Sequence, residues 1–222
     1  WHNHGNHGDD YTVNVSILDL PLSDFLNAAA FEHDYTEDDA VKTEQSARYD
    51  AEYSQRTYGT GGLRPRFVDH ARGTGHHSPM YVYRWDQTRN LLEKFRDHDG
   101  SPWDGISLEY RDPATGRTPF RTMTFFGQML RPGEATLPQK QNASLVCIAF
   151  EGAGATIVDG QKFDWQPFDA IAVPGGTWFH HENKSDKNDS ILFVTSDEPT
   201  LKALGYHRRQ GRKQDGTIVK LD

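Results

Sequence analysis

Histidines gather at two places in this chain of 222 residues: His2, His4 and His7 near the start, and His180-His181 far downstream. Neutral imidazole is the commonest metal ligand and titrates near neutral pH, so either group could hold a divalent ion or move a proton. Close to a chain end, the first group also suits an adventitious metal-binding tail. Neighbouring side chains on a strand point to opposite faces, so His180 and His181 cannot both face one cavity. A surface or hydrogen-bonding role suits that pair better than a metal site. Arg64, Arg66 and Arg84 could reach a substrate carboxylate, although surface ion pairing is the simpler role. The single cysteine, Cys147, lies in an apolar run and reads as a core residue. One cysteine permits neither an intrachain disulfide nor a Cys-rich zinc site.

The two histidine groups belong to one pattern. Trp1-His2-Asn3-His4-Gly5-Asn6 and Trp178-Phe179-His180-His181-Glu182-Asn183 both read Trp-x-x-His-x-Asn. The likeness continues, because Asp19-Leu20-Pro21 followed by Leu26 matches Asp197-Glu198-Pro199 followed by Leu204 at the same internal spacing. Two copies of one ending imply two copies of one domain. The second copy has strand-like sequence upstream from Thr118. The first has none, so the sequence predicts an N-terminal domain that has lost most of its body in this chain. The first residue is Trp1 and no signal peptide follows it, which suggests a processed chain or a fragment.

The elements that would position these residues are mostly strands. Short apolar runs at Phe120–Leu130, Ser144–Phe150, Ala155–Val158, Ala170–Val173 and Ser190–Thr195 alternate with breaks such as Arg131-Pro132-Gly133, Asp159-Gly160 and Pro174-Gly175-Gly176. That rhythm predicts a β-sandwich or barrel. Helices are expected around Ser23–Phe31, from an Asp86 N-cap through Leu91, Leu92 and Phe95, and after Pro199 up to a Gly205 C-cap. The stretch 35–79 is polar and irregular, as a functional loop or linker would be. The basic segment His207–Lys213 reads as a solvated tail.

Composition excludes several classes. The 12 Phe, 9 Tyr and 5 Trp can bury a core, which argues against disorder. No apolar run is long enough for a membrane-spanning helix. A net charge of −8 argues against a general nucleic-acid binder. Asn-x-Ser sites at Asn14, Asn142, Asn183 and Asn188 are too common a pattern to argue for secretion.

The second copy resembles the cupin family, a double-stranded β-helix with two short motifs. Gly133, Gln139-Lys140-Gln141, Leu145 and Gly152 keep the spacing of the first motif, Gly-x5-His-x-His-x3-4-Glu-x6-Gly. Phe168, Pro174, Gly176, Phe179 and Asn183 keep that of the second, Gly-x5-Pro-x-Gly-x2-His-x3-Asn. The resemblance makes Gln139, Gln141, Leu145 and Phe179 the degenerate metal positions. Amides are weak neutral ligands and hydrocarbon side chains offer none, so no metal is expected in this C-terminal barrel.

Across most of its length the sequence resembles the gentisate 1,2-dioxygenase family of two-cupin (bicupin) enzymes, which includes salicylate and 1-hydroxy-2-naphthoate dioxygenases. The matching pieces include Trp1–Asn6, Leu18–Leu22, Tyr58–Leu63, Ser78-Pro79, Trp85–Arg89, Asp112–Gly116, Phe163–Trp165 and Asp197–Pro199, in order and at family spacing. The resemblance implies a mainly β bicupin with few helices and a truncated N-terminal cupin. Its divisions would be residues 1–34 (end of the N-terminal cupin with a helix), 35–98 (linker and helix), 99–205 (the C-terminal cupin) and 206–222 (the tail). It implies Fe(II) in the N-terminal cupin, with His2 as one of three histidine ligands and His4 as a catalytic residue against the substrate. The other two ligands would precede Trp1. The substrates implied are a small aromatic hydroxy-acid and O2, with ring cleavage between the carboxylate-bearing and hydroxyl-bearing carbons. A cytoplasmic homo-oligomer, tetramer or dimer, is implied as well. Ser16 departs from the family's acidic residue, which puts the usual substrate or full activity in question. The alternative is a degenerate, non-catalytic bicupin that binds a small molecule or builds an assembly.

Overall fold

The computed structural model describes residues 5–29, 82–113 and 115–221. The chain forms two compact units, Trp1–Asp34 and Tyr35–Asp222.

Among the described residues of the first unit, an irregular stretch leads into a short helix, α1 (Leu20–Phe25). Asp19 precedes it and Pro21 stands in its first turn, where a proline costs no hydrogen bond. The expected helix at Ser23–Phe31 therefore begins earlier and ends sooner. Asn27 adopts a left-handed φ of 53° and stops it before Ala28 and Ala29, while Ala30 and Phe31 lie outside the described residues.

Among the described residues of the second unit, the first element is α2 (Trp85–Lys94), whose Leu92 is fully buried. Asp86 is not its N-cap. That position falls to Arg84, which makes no side-chain cap, and Asp86 sits in the first turn, where its charge suits the helix dipole. Eleven strands follow: β1 (Ile106–Glu109), β2 (Thr124–Leu130), β3 (Gln139–Gln141), β4 (Leu145–Glu151), β5 (Gly154–Val158), β6 (Gln161–Trp165), β7 (Ala170–Val173), β8 (Trp178–Asn183), β9 (Ser190–Ser196), β10 (Arg209–Arg212) and β11 (Ile218–Lys220). A short helix, α3 (Glu198–Ala203), lies between β9 and β10. The strands form two antiparallel sheets, ordered β1-β2-β9-β4-β7 and β11-β10-β3-β8-β5-β6.

Side chains alternate across each sheet, so every second residue points inward. In β8, Phe179, His181 and Asn183 are buried while Trp178, His180 and Glu182 are partly exposed. Leu145, Cys147, Val173, Leu192 and Val194 join Phe179 and Trp165 in the core between the sheets. A second cluster, Leu92, Ile106, Met129 and Ile191, fixes α2 to the outside of the first sheet.

The basic segment is not a free tail. Arg209, Gln210 and Gly211 pair with Gln141, Lys140 and Gln139 of β3, and β11 pairs with β10 in turn. Gly211 has a packing reason: a Cβ there would collide with the Trp103 ring.

The internal repeat is visible in three dimensions. α1 and α3 are both six residues long, preceded by Asp19 (φ −90°, ψ 22°) and Asp197 (φ −88°, ψ 11°). Both run into a leucine, Leu26 or Leu204, and then a left-handed residue, Asn27 (φ 53°) or Gly205 (φ 74°). The same closing hydrogen bond follows in each, Ala28 N–H to Ser23 O and Tyr206 N–H to Leu201 O, both at 2.8 Å. This is one Schellman-type ending written twice.

Candidate functional site

The four degenerate metal positions converge. Gln139 and Gln141 on β3, Leu145 on β4 and Phe179 on β8 line one cavity of about 100 Å³ between the sheets. The left-handed backbone at Gly133, Gly152 and Gly176 (φ 68°, 75° and 88°) explains the glycines of both motifs. Phe168 stands at the remaining motif glycine with φ 76°, an uncommon conformation for a bulky residue.

Gln139 is wholly engaged. Its Oε1 accepts from Arg209 Nε at 2.9 Å and Nη2 at 2.6 Å, and its Nε2 donates to Trp103 O at 2.7 Å and Asp104 Oδ1 at 3.1 Å. Arg209 Nη2 also reaches Asp104 Oδ1. Burial would raise the Asp104 carboxyl, but the Arg209 charge and hydrogen bonds from Arg209, Gln139 and Ser101 outweigh it and hold the group below the ordinary carboxylate range. No local signal announces this clamp, because Arg209 and Asp104 are 105 residues apart and Arg209 sits in a run of similar charges.

His181 lines the same cavity and is 1% exposed. Its Nδ1 lies 2.9 Å from Thr156 Oγ1, which accepts from Trp165 Nε1 at 3.0 Å. The hydroxyl keeps its own proton and a second lone pair, so it pairs with Nδ1 in either tautomer of the neutral ring. Burial pushes the His181 pKa down to about 4, so the ring is neutral at physiological pH. His180 points the other way and lies 3.6 Å from Glu182. Strand alternation thus separates the pair as expected, and His181 takes a buried hydrogen-bonding role. Gln128 and Glu198 also line the cavity, and Gln128 Nε2 is buried with no hydrogen-bond partner.

These residues do not suit a metal ion. Both hydrogen-bonding ends of Gln139 are taken, Leu145 and Phe179 offer no donor atom, and the Arg209 guanidinium would repel a cation. Among the described residues no three His, Cys, Asp or Glu side chains group around a possible ion site.

His2 and His4, with Arg64 and Arg66, are outside the described residues. His7, Ser16 and Arg84 are exposed. Asn6 bonds within its own turn, accepting from Gly8 N–H at 2.9 Å. Its counterpart Asn183 is buried and donates to the carbonyls of Leu130, Arg131 and Asn188. Cys147 is fully buried, and burial pushes its thiol up to about 12.

Two antiparallel sheets closing on a small interior, with both glycine-bearing motifs in place, define a cupin barrel. The chain is similar over 97% of its length, at 30% identity, to the 5-aminosalicylate 1,2-dioxygenase of Comamonas sp., and over 93%, also at 30%, to the gentisate 1,2-dioxygenase of Haloferax sp.. It spans about half the length of these curated relatives (54% and 57%). Among solved structures, a variant of salicylate 1,2-dioxygenase from Pseudoaminobacter salicylatoxidans superposes with a TM-score of 0.67 at 23% identity, covering 88% of this chain and 54% of that one. No protein-family model matches the chain. Among the described residues no helix is long and apolar enough to cross a membrane.

Proposed function

We propose that this chain supplies the C-terminal barrel and the end of the N-terminal barrel of a gentisate-type ring-cleaving dioxygenase. The observation that carries the reading is the similarity along almost the whole chain to 1,2-dioxygenases of aromatic hydroxy-acids. The internal repeat supports the residue roles. His2 and His4 match Phe179 and His181, and both counterparts face the interior of their barrel. In this reading His2 holds Fe(II) and His4 lies against the substrate. The iron would supply a site where the hydroxy-acid and O2 meet. The domain divisions are those given by the family pattern, residues 1–34, 35–98, 99–205 and 206–222, with the last built into the barrel sheet. A cytoplasmic homo-oligomer, tetramer or dimer, completes the proposal.

The C-terminal barrel is then a support without metal chemistry. A second reading, a non-catalytic bicupin, is favoured by Gln139, Gln141, Phe179 and Ser16. One experiment separates the two: intact mass and metal analysis on the same purified sample, followed by assay with gentisate, salicylate and O2. The first reading expects a chain longer by a further cupin domain, about one iron per chain, and ring-cleaved product. A sample of 25.2 kDa without iron and without turnover supports the second.

A further inference from the structure

Gln139, which stands at a position that a cupin gives to a metal ligand, is bonded here by a cation of the chain itself. The Arg209 guanidinium lines the same cavity as Gln139, Gln141, Leu145 and Phe179, within hydrogen-bonding distance of the first of them. It is delivered from β10, the strand that pairs with β3, so its side chain enters next to the former ligand strand. The surroundings match a planar, fork-shaped cation better than a spherical one. Two nitrogens of the fork converge on Gln139 Oε1, and one of them also meets the Asp104 carboxylate. Asp104 is itself held by Ser101 Oγ at 2.9 Å and Gln139 Nε2 at 3.1 Å. Gly211, two residues on, leaves room for the Trp103 ring, whose backbone carbonyl fixes the other end of Gln139.

We propose that this barrel has kept a cation site and changed its ligand: the site recognises a guanidinium, and Arg209 is its built-in occupant. Three features separate this from ordinary surface ion pairing. The partner amide is 2% exposed, the carboxylate is aligned by two further donors, and each polar atom of Gln139 has a partner. A resident guanidinium balances the Asp104 charge and ties the last two strands to the barrel. It has no open coordination position, so this barrel cannot gather O2 or a chelating acid as an iron site could. The proposal concerns the C-terminal barrel alone and holds under either functional reading.

Thermal unfolding of the full chain tests it. Arg209→Ala is expected to lower Tm. Low-millimolar methylguanidinium, far below denaturing concentrations, is expected to recover most of that loss in the variant and to leave the unsubstituted protein unchanged. Methylammonium should recover clearly less, because a point charge lacks the fork. Adding Asp104→Asn to the variant should abolish the recovery. If Arg209→Ala does not fold, 15N spectra of the unsubstituted protein decide: one arginine with slowly rotating, separately resolved Nη signals, lost in Arg209→Lys, is expected. Absence of rescue in a folded variant, absence of such an arginine, or Mn(II) broadening of the Trp103 and Gln139 side-chain signals with Arg209 in place would overturn the proposal.

Discussion

Arg209 reaches Gln139 through two nitrogens, Nε at 2.9 Å and Nη2 at 2.6 Å, and both bonds end on a single oxygen. An amide that accepts twice from a cation and donates twice elsewhere is difficult to replace. Gln139→Ala is expected to cost about 2–4 kcal/mol, because hydrogen bonds to charged groups contribute roughly 1.5–3 kcal/mol each and Asp104 loses a donor as well. Urea unfolding at neutral pH measures this. A loss near zero would show that the clamp is idle.

His181 makes stability depend on acid. Its folded pKa of about 4 lies below the 6.5 of a free histidine, so the unfolded chain binds the extra proton first. The stabilisation is complete above about pH 6.5 and declines as pH falls toward 4, by a total on the order of 3 kcal/mol. Unfolding free energies at pH 7 and pH 4.5 should differ accordingly. His181→Phe should flatten that part of the profile, and an unchanged slope would assign the acid sensitivity to other groups.

Thr156 joins two buried rings through one hydroxyl, accepting from Trp165 and meeting His181 Nδ1. Thr156→Val keeps the shape and strands both nitrogens. A loss of roughly 2–4 kcal/mol is expected in chemical unfolding, since each buried unpaired polar group costs about 1–3 kcal/mol. Thr156→Ser should retain most of the stability.

Phe168 is 82% exposed and left-handed. It gains little by packing and carries backbone strain that glycine escapes. Phe168→Gly is expected to raise stability by about 1 kcal/mol, read from the shift in Tm. A fall would mean that the ring makes contacts that matter more than its backbone.

Legibility from sequence was uneven, for physical reasons. Strands such as Ala170–Val173 show in the sequence because apolar runs between turn residues have few other uses. Glycine positions and the duplicated Asp-x-Pro helix start are local signals and survive intact. β1 and β11 are short and escape the sequence pattern, and β3, β6 and β10 escape it because Gln139-Lys140-Gln141, Gln161–Trp165 and Arg209–Arg212 have little apolar content and take their strand character from the neighbours they pair with. The same limit hid the clamp. The motif positions Gln139, Gln141, Leu145 and Phe179 could be named from spacing, whereas the partners of Gln139 depend on a register between distant strands.

The seclusion of Cys147 gives the protein its own clock. The lone thiol lies at the centre of the barrel and stays protonated far above neutral pH, so an alkylating reagent finds it only when the sheets part. The rate at which this sulfur is labelled in native buffer therefore reports barrel opening, with no probe introduced and no second cysteine among these 222 residues to confuse the count.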